Sequence, residues 1–132
     1  MIFIKTCTKN DIEQLIKTKF SNSLPSQVKS LIDKEISKGS ELFANIIRTH
    51  FQYDSLCEDS EDLYSEKIVK SVEIFLDFYK SNINQYNSGS QNYILIQGAW
   101  LMVIKELSNE VTRANDDVLL RIITSIELKI LS

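Results

Sequence analysis

His50, Cys57 and the carboxylates of Glu58, Asp59, Glu61 and Asp62 crowd into residues 50–62, the densest run of reactive side chains in the sequence. A Cys–His pair can make an activated nucleophile. Here seven positions and an expected helix end separate the two, and no glycine-rich turn or oxyanion donor accompanies them. Zinc sites draw several ligands from His and Cys, whereas this chain holds one histidine and two distant cysteines, Cys7 and Cys57. The four carboxylates lack the D-x-D-x-D-G spacing that wraps calcium, and neither GxxxxGK[ST] nor GxGxxG occurs to cradle a phosphate. The expectation is a chain without catalytic residues, metal or cofactor, and not an enzyme.

The same carboxylates have two other readings. They can be a solvated loop leading into the positive N-terminal end of a helix, or a docking patch for a basic partner, where complementary charge speeds encounter and rejects wrong partners. Directly behind them, Ile74 and Phe78 fall off the main apolar arc of the following helix and share a second side with Leu63 and Tyr64. Such a strip at helical spacing either packs a second neighbour or seats a partner. The expected binding surface is therefore Glu58, Asp59, Glu61, Asp62, Tyr64, Ile74 and Phe78. It suits a non-catalytic protein–protein interaction module, an inhibitor or immunity-type protein being one concrete form, and it allows a homodimer.

Two other functions compete. A subunit of a nucleic-acid-handling complex would use Lys17, Lys19, Lys29, Lys34 and Lys38. Residues 1–50 carry eight Lys/Arg against five Asp/Glu, a net +3, while residues 51–132 carry seven against thirteen, a net −6. That asymmetry is milder than the clustered basic stripe of most nucleic-acid binders, so nucleic acid is not the expected partner. The other alternative is an enzyme or small-ligand binder with a helical pocket near Trp100 and Gln97.

The elements that must position these groups read as helices. The chain has 132 residues, 43% hydrophobic and 25% charged, with one proline and three glycines. This length suits a single domain with a core of its own, and scarce Pro and Gly leave too little punctuation for an all-β fold. MIFIKTCT reads as a short strand or extended arm. Asn10 and Glu13 have capping-box spacing, ahead of Ile12, Leu15, Ile16 and Phe20 on one face. Ser23 and Pro25 suit the start of a second helix. Its apolar positions run in phase from Val28 to His50, with Gly39-Ser40 read as either a bend in one helix or, in preference, a break between two segments nearly in line. A third helix carries Ile68, Val69, Val72, Phe75, Leu76, Tyr79 and Ile83 on one arc, and residues 81–91 read as a loop.

NYILIQGAWLMVIKEL, residues 92–107, is the least polar stretch. Its apolar core is shorter than the about 20 residues a bilayer span needs. At helical spacing Tyr93, Ile96, Trp100, Val103, Ile104, Leu107 and Val111 share one arc. Ile94 with Leu101, and Leu95 with Met102, cover the flanks, and Gly98 lies on the bare side. The pattern predicts a central buried helix over 92–111, with Gly98 at a close helix–helix approach and Gln97 hydrogen-bonded. Asn115 then caps a fifth helix that is apolar at Val118, Leu119, Ile122, Ile123, Ile126 and Ile130. The expected fold is all-α, a compact bundle of about five helices around the 92–111 helix, forming a single domain over residues 1–132. The N-terminus lacks the basic leader and long apolar run of a secretory signal. Two cysteines make no disulfide framework, so reduced thiols in the cytoplasm, away from any membrane, are expected.

Overall fold

A computed structural model describes residues 4–20, 26–54 and 61–132, with side chains described at 4–18, 34–53 and 63–132. A single 3-10 turn, Ile4–Thr6, precedes five α-helices: α1 Lys9–Phe20, α2 Ser26–Asp54, α3 Glu61–Ile83, α4 Gln91–Arg113 and α5 Asp117–Leu131. Among the described residues there is no strand. The expected extended arm is instead this turn, held down by burial of Ile4 and Cys7. Thr8, two residues earlier than predicted, caps α1. Its amide donates to Asp11 Oδ2 at 2.8 Å, and its Oγ1 accepts from the Asp11 amide at 3.3 Å. Thr8-x-x-Asp11 closes the same reciprocal box expected of Asn10-x-x-Glu13, and Glu13 pairs with Lys9 instead. The Ser23–Pro25 start signal lies outside the described residues.

Helix α2 packs against α1 and α3, and α4 against α5, α1 and α3. The α2–α3 pair is antiparallel: Thr49 meets Ser71 at 3.4 Å near one end, and Gly39 meets Phe78 further along. Gly39-Ser40 does not break the chain into two helices, because α2 runs unbroken through it. The glycine serves packing. A Cβ built there would fall 2.7 Å from Trp100 Cη2, closer still to Cζ2, and 3.2 Å from Phe78 Cε1.

Trp100 is the centre of the core, as the period of α4 predicts. Its ring stacks with Phe43 of α2 at 6.3 Å between centroids and meets Phe75 of α3 edge-on at 5.2 Å. Ile96, Ala99, Val103, Ile104, Leu107 and Val111 are buried on the same face of α4. Gln97 Nε2 donates to the Ile130 carbonyl at 3.2 Å, satisfying one acceptor in the last turn of α5 and setting α4 and α5 side by side.

The predicted close approach is at the wrong glycine. Nothing lies within 4 Å of a Cβ at Gly98, whereas Gly39 is the crowded position. Gly39→Ala is therefore expected to cost about 1–3 kcal/mol by overpacking, against its better helix propensity. Gly98→Ala, measured in dilute protein, should gain up to about 1 kcal/mol. Urea unfolding of both variants checks this, and equal effects would mean that the Trp100 contact is not tight.

Candidate functional site

The ends of α2, α3 and α5 meet at His50. Its imidazole is wholly buried. Nδ1 lies 2.6 Å from the Tyr64 hydroxyl of α3, and Nε2 lies 2.8 Å from Asp116 Oδ2 at the start of α5. Phe51 and Tyr64 meet the ring edge-on. Asp116 is placed by the turn between α4 and α5. Asn115 adopts a left-handed φ of 57°, which asparagine tolerates better than most residues. The Asp116 amide donates to Val111 O, and the Asn115 amide to Thr112 O, a Schellman closure of α4. Asn115 thus ends α4 instead of capping α5. The cap is Asp116, whose Oδ1 accepts from the Leu119 amide at 3.0 Å.

An ionised Asp116 can only accept, so Nε2 carries the proton that it shares, while Nδ1 and the Tyr64 hydroxyl share the other hydrogen bond. Burial alone would raise the Asp116 carboxyl. The Leu119 amide, the His50 hydrogen bond and the charges of His50 and Lys5 outweigh it and hold the group below its ordinary 3.8. Carboxylate, imidazole and hydroxyl follow one another as in a hydrolase triad, but this ring has no exposed surface from which to serve a substrate. An open cleft of about 690 Å³ beside it is lined by Lys5, Phe51 and residues 114–118, so Asp116 is the relay member that reaches it. The arrangement joins three helices through one side chain.

The predicted surface is divided by this geometry. Ile74 is 43% exposed and Leu63 39%. They lie close to one line along α3, with the exposed Lys67 and Lys70 between them. Tyr64 turns inward to His50, and Phe78 is half-buried against α2 at Gly39. Val69, expected inside, is 54% exposed. Its place at the α2 contact goes to Ser71, whose Oγ also donates to the Lys67 carbonyl at 2.9 Å. Glu58 and Asp59 lie outside the described residues. Glu61 and Asp62 open α3, their side chains again outside the description, as is Cys57.

Cys7 is a free, buried thiol that desolvation pushes up to about 12, Asp11 adding to the rise and Arg48 opposing it. Such a thiol is a poor nucleophile. Trp100 is enclosed by aromatic rings and the Gly39 backbone, with 2% of its surface exposed. At the opposite end of the bundle from His50, burial raises the Glu35 carboxyl, although the Tyr86 hydroxyl favours its ionised form. Its Oε2 and the Tyr79 hydroxyl are buried there without a hydrogen-bond partner among the described residues. Of the lysines considered for nucleic acid, Lys17, Lys34 and Lys38 are exposed. The side chains of Lys19 and Lys29 lie outside the description. Among the described residues no group of three or more His, Cys, Asp or Glu side chains could hold a metal ion. None of their helices is long and apolar enough to cross a membrane.

Nothing in the spacing around His50 points to Asp116 as its partner, 66 residues away. The one local signal was the Asn-Asp-Asp run at 115–117, which marks a cap without saying what else the cap holds. Fold and site together define an all-helical bundle whose helix ends are tied by a Tyr–His–Asp relay centred on the buried His50. No protein-family model, curated protein or solved structure matches this chain.

Proposed function

We propose that this protein acts by binding another protein, without catalysis, through the acidic segment at 58–62 and the outward side of α3. The observation that carries the reading is the exposure of Leu63 and Ile74 on one side of α3, immediately after four carboxylates. Exposed large apolar side chains flanked by charge are common at partner surfaces. The complete burial of the single histidine, with both ring nitrogens engaged inside the fold, favours binding over catalysis. Lys67 and Lys70 refine the partner. It presents basic groups to Glu58, Asp59, Glu61 and Asp62, and acidic groups to the two lysines between Leu63 and Ile74. An inhibitor or immunity-type protein neutralising a largely basic target is the concrete form of this reading.

The test is affinity capture with the wild-type chain, a Leu63→Ser/Ile74→Ser variant and a variant with amides at 58, 59, 61 and 62. One near-stoichiometric protein should be retained by the wild type and lost by the apolar variant. With that protein in hand, the amide variant should associate about 10-fold more slowly at low salt and show a weaker salt dependence. Undiminished capture by both variants would place the binding surface elsewhere.

A further inference from the structure

We infer that the chain forms a two-fold dimer in which α4 crosses α4 of a second copy at Gly98. Gly98 weakens α4 relative to alanine, yet among the described residues nothing beyond its own helix backbone comes within 4 Å of where its Cβ would be. The residues three, four and seven positions to either side share its face of the helix. They are Gln91, Ile94 and Leu95 before it, and Leu101, Met102 and Lys105 after it. None of the six is buried. Ile94 is 56% exposed, and Leu95, Leu101 and Met102 are only partly covered by the core. The face is thus apolar at its middle, bare at its centre and charged only at Lys105.

Its sequence is complementary to itself in one orientation. About a two-fold axis through Gly98 that runs α4 antiparallel to its copy, each residue meets the one equally far on the other side. Ile94 then opposes Met102, Leu95 opposes Leu101, and Gln91 opposes Lys105. Apolar side chains meet apolar ones, the ammonium meets an amide, and no like charges face each other. A parallel pairing would set Lys105 against Lys105. At the crossing the missing Cβ lets the two backbones approach closely. This symmetry is the reason to assign the face to a second copy and not to an unrelated helix. The face also differs from the α3 surface, so the two proposals can fail separately.

Sedimentation equilibrium of the full chain over roughly a hundredfold range of concentration provides the test. The wild type should pass from monomer to twice that mass. Gly98→Glu fills the gap and sets two carboxylates on the axis, and should stay monomeric throughout while keeping the wild-type helix content in dilute solution. Ile94→Glu, at an exposed position, should do the same. Gly98→Cys should give a disulfide-linked dimer on mild oxidation, and Val69→Cys on α3 should not. A wild type that is monomeric at every concentration, a dimer that survives Gly98→Glu, or a Gly98→Cys protein that fails to cross-link would each overturn the inference.

Discussion

Replacing Trp100 with alanine is expected to lower the unfolding free energy by about 3–5 kcal/mol, the usual loss for a large buried aromatic. From α4 the indole touches two other helices at once. It lies over the Gly39 backbone of α2, stacks with Phe43 and takes the edge contact of Phe75 from α3. Phe43 and Phe75 also meet each other edge-on at 5.1 Å, so removing the indole takes one side from a three-ring cluster. Collapse around the gap is limited because Gly39 has no side chain to move into it. Urea unfolding followed by circular dichroism measures the loss. A change below about 1 kcal/mol would mean that the cluster does not hold the helices together.

The second large effect belongs to Asp116. Asp116→Ala removes the cap of α5, about 1 kcal/mol, and leaves a buried His50 N–H without its acceptor, about 1–3 kcal/mol more. A total of about 2–4 kcal/mol is expected at neutral pH. Asp116→Asn keeps the capping oxygen, loses the charge and should cost less. The pH dependence separates the two contributions. Because the folded carboxyl lies below its ordinary 3.8, its stabilisation is complete above that value and disappears as pH falls through the lower folded one. The difference in unfolding free energy between wild type and Asp116→Asn should therefore narrow as pH falls below about 4. A difference that stays constant through strongly acid pH would show that ionisation of Asp116 contributes nothing.

Much of the fold was legible because helical periodicity is a local signal. Ile96, Trp100, Val103, Ile104, Leu107 and Val111 were identified by spacing alone and are buried. The failures occur where a local pattern allowed two answers that tertiary contact decided. Thr8 and Asn10 both begin a plausible box, and burial of Ile4 and Cys7 beside α1 accompanies the earlier one. Gly39 and Gly98 cost their helices alike, and only the position of the indole tells which is crowded. Val69 and Val118 lie at the edges of their arcs and came out exposed. The candidate site was less legible. Spacing left Ile74 either packed against a second neighbour or exposed, and it is exposed; the inward turn of Tyr64 depends on His50, and His50 depends on an aspartate 66 residues away. No window of sequence contains both.

The Gly39–Trp100 contact also fixes how far α2 can slide along its neighbours. One turn of helix is about 5.4 Å, and a slip of one turn in either direction would bring Glu35 or Phe43 beneath the indole in place of bare backbone. The carboxylate would lie against an apolar ring, and the phenyl ring would occupy space already filled. Gly39 is a notch that accepts the indole at one axial position, so the chain that builds this bundle also rejects its nearest misaligned versions.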